Sequence, residues 1–289
     1  MSRQGSATIA ALAAVGLWST VATAFKLGLS VMQPLQLLFV ATLVSALLFA
    51  IAATWTRSWQ LSRRNISEAA LFGLANPLCY YLILFEAYDR LPAQITQPLN
   101  YTWAIALALF AVPILGQELT RRTMAGIALS YAGVLVLLSQ GKFTTIPQTD
   151  WLGVALALAS TVVWAGYWLA NARSKTEPLA LMALSFACAL PVIAALCALG
   201  PGWPQLSWEV AAYGTWVGLF EMGVTFLLWQ RAMRLTSSAA TTGQLIFLSP
   251  FVSLVLIWAV LGETIHATSI IGLAIIVAGI ILARRPSAA

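Results

Sequence analysis

Long apolar runs alternate with short polar breaks along this chain, and the runs match the thickness of a bilayer. A spanning helix needs about 20 mostly apolar residues. Ten segments meet that requirement, at 7–31, 34–55, 67–89, 93–115, 121–139, 151–171, 178–199, 209–231, 238–261 and 266–283. The breaks carry turn or charge signals: Gln33-Pro34, Thr56 to Asn65, Leu91-Pro92, Gly116 to Arg122, Gln140 to Asp150, Asn171 to Pro178 and Gly200 to Ser207. No stretch is left over for a soluble domain. The first run is too long for a signal-peptide core and lacks a clear cleavage site. It also has a counterpart later in the chain, so it belongs to the fold.

Composition agrees with the pattern. Of 289 residues, 61% are hydrophobic and 8% charged, where soluble domains run near 45–50% and about 25%. That excludes a soluble enzyme. The net charge of +6 would suit a nucleic-acid partner, but the positions of the charges give another reason for it. With the N-terminus inside, twelve of the fifteen Lys and Arg fall on the inner side; only Lys26, Arg90 and Lys142 fall outside. Cytoplasmic loops carry such an excess. Both termini are therefore expected in the cytoplasm, and no nucleic-acid partner is needed. Cys79, Cys188 and Cys197 lie in apolar runs without CxxC spacing, so they read as small packed residues. A lone His266 builds no metal site, and nothing in the chain calls for a cofactor.

The two halves repeat. Trp18 and Trp164 are 146 positions apart, and the same offset brings Leu115-Gly116 onto Leu261-Gly262, Gly126 onto Gly272 and Gly133 onto Gly279. With small indels, Pro34-Leu35 meets Pro178-Leu179, Gly73 meets Gly218, and Arg90-Leu91 meets Arg234-Leu235. Each half holds five segments. An odd number turns the second half upside down relative to the first, which makes an inverted repeat. The expected fold is an all-α integral membrane protein of ten transmembrane helices, with one five-helix repeat at 1–142 and its inverted partner at 143–289. Gly126, Ser130 and Gly133 share one face of the fifth helix, and Gly272 and Gly279 share one of the tenth. Small faces let membrane helices approach closely. Whether these faces pack within the chain or form a homodimer is left open by the sequence.

Two five-helix halves, the Trp18/Trp164 pair and the Leu-Gly-Glu-Thr run at 261–264, matched by Leu-Gly-Gln-Glu at 115–118, resemble the drug/metabolite transporter superfamily. Within it, the chain is most similar to the EamA-type exporters. The resemblance implies an exporter of small metabolites in a bacterial inner membrane. It also implies that helices 1, 3, 4, 6, 8 and 9 surround a central cavity, with 5 and 10 as scaffold.

Several polar and aromatic residues fall at mid-depth on those helices. Trp18, Trp103 and Trp164 lie near mid-helix, where an indole N–H must find protein, water or ligand; packed core rings are the other reading. The remaining polar candidates are Asn76 and Tyr80 on helix 3, Asn100 and Tyr101 on helix 4, Glu221 on helix 8, and Gln244, with the neighbouring Phe247, on helix 9. An unpaired polar group in lipid costs several kcal/mol, on the order of a lost hydrogen bond or more, so these should face inward. Pro98 and Pro250 each remove a backbone donor and are candidate hinges, or static kinks. Glu221 is the one acid at the centre of a segment. A central acid is by default a functional candidate: it could hold a substrate ammonium, carry a coupling proton or pair with a buried donor. Lys26 and Glu86 lie near the outer helix ends, where they could form an ion pair in an outer vestibule, although Lys26 is rather expected to snorkel to the surface.

An aromatic-rich, weakly charged cavity suits amphipathic solutes. Rings supply area, and a few polar groups hold the ends. The expected activity is alternating-access export of amino acids, aromatic and large neutral ones above all, with other metabolites or drugs as the alternative. The partners are then the solute and the lipid bilayer. A membrane enzyme would need clustered acids, histidines or a nucleophile–base pair, and the chain has no HExxH, GxSxG or mid-depth acidic pair. It also has no GxxxxGK[ST] run for ATP.

Overall fold

The computed structural model describes residues 3–115, 120–142, 149–171, 173–236, 242–243 and 245–283. All regular structure among the described residues is helical. The helices are α1 (Arg3–Leu29), α2 (Pro34–Trp55), α3 (Arg63–Arg90), α4 (Ala93–Ile114), α5 (Arg121–Ser139), α6 (Trp151–Asn171), α7 (Pro178–Leu199), α8 (Trp208–Leu235), α9 (Leu245–Leu261) and α10 (Ala267–Ala283). The first eight are long and apolar enough to cross a membrane; α9 and α10 are shorter within the described residues. In lipid every backbone group must be satisfied within the segment, and a helix does this. Large side chains such as Leu47, Ile51, Leu71 and Leu135 stay exposed, as a hydrocarbon solvent permits.

Helix ends differ from the apolar runs by a few residues. Hydropathy marks only the part in lipid, whereas the backbone ladder continues until a cap stops it. Thus α3 starts at Arg63, where the Ser62 hydroxyl accepts from the Asn65 amide. Pro34 and Pro178, repeat mates in sequence, both sit in the first turn of their helices, where the missing N–H removes no bond. Gln33 and Gln36 cap α2 reciprocally, and the Glu177 carboxylate accepts from the Ala180 amide at the start of α7.

Four helices are irregular at mid-course. In α1 the ladder breaks between Ser19 and Val21; the Thr20 hydroxyl donates to Leu17 O at 2.7 Å and accepts from the Trp216 indole at 3.0 Å. In α3, Asn76 is extended (φ −145°, ψ 115°) just before Pro77, because a proline disfavours the helical region for the residue ahead of it. Asn76 and Tyr80 therefore do not stand one regular helical turn apart. In α4 the break comes at Thr102, after Pro98. In α8 the turns widen to i+5 hydrogen bonds over Val217–Val224, around Glu221.

The seam between α5 and α10 is built from the small residues. A Cβ on Gly126 would come within 2.5 Å of Gly279 O, and one on Gly133 within 2.8 Å of Gly272 O. Ser130 Oγ donates to Ile276 O at 3.1 Å. The contacts cross, with the earlier glycine of each helix against the later one of the other, so the two helices run antiparallel. All four glycines are buried here, so the faces left open by the sequence meet within the chain.

Two further contacts resemble each other. The N-terminal helix α1 packs on the Thr225–Leu235 part of α8, and α6 packs on the Tyr80–Arg90 part of α3. At their ends Arg3 donates to Arg234 O at 3.3 Å, and Arg90 pairs with Asp150 at 3.4 Å. The Asp150 carboxyl is held below the usual carboxylate range, chiefly by the Gly153 amide and then by Arg90.

Lys26 does not snorkel. Its ammonium donates to Tyr88 O at 2.8 Å and Leu91 O at 3.3 Å, the carbonyls at the end of α3, where a helix dipole favours a cation. Glu86 lies instead beside Arg90, at 4.0 Å. The three thiols are free, and Cys79 is exposed rather than packed.

Candidate functional site

A cavity of about 680 Å³ lies among the helices, within the usual size of small-molecule sites. Seven residues singled out in the sequence line it: Trp18, Tyr80, Asn100, Tyr101, Trp103, Trp164 and Glu221. Each is supplied by α1, α3, α4, α6 or α8. Ile246 of α9 also contributes, while Thr123 of α5 and Ile280 and Ala283 of α10 line one end.

The aromatic wall is continuous. Trp164 stacks on Tyr80 at 4.3 Å between centroids and on Tyr167 at 5.6 Å. Its edge meets Trp168 at 5.7 Å. Trp18 packs on Trp229 at 5.4 Å and Phe226 at 5.9 Å. Phe226 lies 6.0 Å from Trp164 as well, so one ring bridges the two repeat-mate tryptophans. Such offset and edge-on pairs add about 0.5–1.5 kcal/mol each beyond burial, which holds the wall in one arrangement.

Polar groups are threaded through this wall. The Tyr80 hydroxyl donates to Asn100 Oδ1 at 3.4 Å, and Asn100 Nδ2 donates to Ser160 Oγ at 3.0 Å. That chain ties α3, α4 and α6 together. Glu221, only 9% exposed, accepts from the Tyr81 hydroxyl at 3.2 Å through Oε1, and the Trp18 indole also approaches its carboxyl, although Oε2 makes no well-formed hydrogen bond. Among the described residues it is the only charged side chain lining the cavity. No group of three His, Cys, Asp or Glu that could hold a metal occurs among the described residues.

Other sequence candidates fall elsewhere. Asn76 is buried beside Tyr167 and does not line the cavity. Phe247 is buried in a 3-10 turn before the regular part of α9 and is likewise off the wall. Pro98 is buried in α4. Pro250 sits in the first turn of Ser249–Leu256, a position that needs no N–H, not at the middle of a regular helix. Gln244 lies outside the described residues. Sequence reasoning missed Gln97, Trp168, Phe226 and Trp229, which all line the cavity. One signal was there: Trp168 follows Trp164, and Trp229 follows Phe226, at the spacing of one helical face.

The cavity extends along the helices toward both faces, with Phe25 and Tyr88 lining it at one end. It reaches Thr123, Leu169 and Ala283, near the face that carries Arg121, Arg122 and Arg173. Toward the other face the Phe25 ring packs on Phe85 at 4.7 Å and Tyr88 at 5.2 Å. There the Glu263 carboxylate accepts from the amides of Ala93 (2.9 Å) and Gln94 (3.2 Å). The Gln94 side chain in turn donates to Thr264 O and accepts from Ser269 Oγ at 2.8 Å. The Leu-Gly-Glu-Thr run thus clasps the start of α4 to the α9–α10 loop.

Known proteins are similar to this chain in fold or in sequence. A crystal structure of another protein superposes with a TM-score of 0.68 over 96% of this chain and 98% of that one, at 22% identity, which establishes the fold alone. The aromatic amino acid exporter YddG of Ancylobacter novellus is 29% identical over 263 residues, covering 89% of each chain. A probable terminal-alkyne amino-acid exporter of Streptantibioticus cattleyicolor is 25% identical over 272 residues, covering 93% of this chain and 90% of that one. The EamA-like transporter family matches twice, at residues 5–139 and 151–285. A multi-pass helical membrane protein with a central cavity, matched over nearly its whole length, this chain belongs to the EamA-like transporter family and is a transporter, not an enzyme.

Proposed function

We propose that the protein exports amino acids with aromatic or large apolar side chains across a bacterial inner membrane. The observation that carries this reading is the placing of one carboxyl, Glu221, in a cavity whose wall combines Trp, Tyr and Phe rings with aliphatic side chains. Glu221 Oε2, buried without a well-formed partner beside the Trp18 indole, accepts from the substrate ammonium, and the rings take up the side chain. The names of the two exporter relatives point to the same class of solute.

Transport proceeds by alternating access between two inverted five-helix repeats, 1–142 and 143–289, that make ten spans with both termini in the cytoplasm. The double family match, the antiparallel α5–α10 seam and the paired α1–α8 and α6–α3 contacts support it. In that orientation the cavity runs from Phe25 and Tyr88 on the outer side to Thr123, Leu169 and Ala283 on the cytoplasmic side. Pro98 and Pro250 remain candidate hinges.

The test is counterflow in proteoliposomes. Labelled phenylalanine should accumulate against unlabelled phenylalanine, tryptophan, leucine or methionine and saturate with concentration. Aspartate and glutamate should exchange poorly, since Glu221 meets them as a like charge. Preferential flux of acidic or phosphorylated solutes would sink the assignment.

A further inference from the structure

We infer that the same cavity also carries aromatic and large apolar primary amines that have no carboxylate, such as arylalkylamines and amino-acid amides. This rests on the ammonium-binding reading of Glu221 and extends it to a second class of substrate.

The reasoning starts from charge. Glu221 is the only charged side chain lining the cavity among the described residues; no Lys, Arg or His does so. Arg121 and Arg122 are exposed next to Thr123 at the mouth, and Arg122 is bonded to Leu282 O at 3.0 Å. When an amine meets an ionised Glu221, the loaded cavity is neutral. When a zwitterion does, its carboxylate is left as an unpaired negative charge. Low-dielectric surroundings penalise an unpaired charge heavily.

Hydrogen bonding points the same way. A carboxylate needs donors, yet three hydroxyl or amide donors near it are already engaged, from Tyr80 to Asn100, from Asn100 to Ser160 and from Tyr81 to Glu221. The lining residues hold three buried polar atoms without a partner: Glu221 Oε2, Gln97 Oε1 and the Trp168 indole nitrogen. Two are acceptors, suited to an ammonium with three N–H groups. The third is a neutral indole donor. Gln97 is thereby assigned to the amine end of the substrate.

The experiment compares ligands on the unmutated protein in liposomes. Labelled phenylalanine counterflow is competed with phenethylamine, phenylalanine amide, N-acetylphenylalanine and 3-phenylpropionate. Counterflow of labelled phenylalanine amide is measured directly against protein-free vesicles. The expected result is that the amine and the amide compete at least as well as phenylalanine, by a margin of up to about tenfold, and that the amide itself is carried. The two compounds without an ammonium should compete poorly. In Gln97→Leu the advantage of the amine over phenylalanine should shrink. Saturable phenylalanine flux that neither amine nor amide inhibits would overturn the inference and leave the amino-acid reading intact. Amide counterflow without phenylalanine flux would uphold the inference and remove the amino-acid reading. Absence of both would remove both.

Discussion

The Tyr81 hydroxyl donates to Glu221 Oε1 across 3.2 Å, joining the residue just past the break in α3 to the widened turns of α8. One carboxyl oxygen is thus fixed, and the other is buried without a well-formed hydrogen bond. Replacing Glu221 with Gln keeps the shape and removes the charge. Apparent affinity for phenylalanine should fall by about 1.5–3 kcal/mol, the scale of a hydrogen bond to a charged group, when read from counterflow at varied substrate. Unchanged affinity with loss of any dependence on a pH gradient would make Glu221 the carrier of a coupling proton instead.

Trp164 stacks on Tyr80 within the cavity wall. Trp164→Ala should reduce flux of phenylalanine and tryptophan more than flux of alanine or threonine, by about 0.5–1.5 kcal/mol in specificity for each lost ring contact. Uptake of a mixed set of labelled amino acids measures this. An equal loss for all of them would mean that the ring only packs.

Gly133 has no room for a side chain, since a Cβ would meet both Gly272 O and Ile276 N at 2.8 Å. Gly133→Ala should destabilise the α5–α10 seam by about 1–3 kcal/mol, as overpacking does. Gly166 in α6 has nothing within 4 Å, so Gly166→Ala should leave the protein as stable or slightly more so. Thermal unfolding of the purified variants in one detergent compares the two.

Glu263 caps two amides at the start of α4. Glu263→Ala should cost about 0.5–2 kcal/mol, as a lost N-cap does. It should also loosen the packing of α4 against the α9–α10 loop. In a cysteine-free chain carrying Phe25→Cys, a membrane-impermeant thiol reagent should then react faster from the side of the α9–α10 loop. The same labelling rate with and without Glu263 would leave it a static cap.

Orientation follows from the twelve-to-three bias of basic residues. A reporter fused after Ala289, or inserted between Ser62 and Asn65, should report cytoplasm, and one inserted near Thr145 the outside. A C-terminus outside the cell would contradict the odd number of spans in each half.

By itself the sequence marked the apolar runs that become helices long enough to cross a bilayer. Backbone groups in lipid must bond within their own segment, so a run such as 34–55 has one outcome, and α2 stands at Pro34–Trp55. It also determined that Gly126, Gly133, Gly272 and Gly279 serve close approach. What it left undecided was which face of each helix looks inward. Lipid is as apolar as a protein core, so no polar stripe separates the lipid-facing side from the packed one. Only the tertiary structure turned the glycine faces toward each other and put Phe226 between Trp18 and Trp164. It brought Gln97, Trp168 and Trp229 onto the cavity and left Asn76 and Phe247 off it. The break at Asn76 shows the cause directly: sequence spacing had placed its side chain with that of Tyr80, but an extended residue before Pro77 rotates the one away from the other. Lys26 found the carbonyls of α3 instead of the membrane surface because that helix ends beside it in space, 62 residues away along the chain.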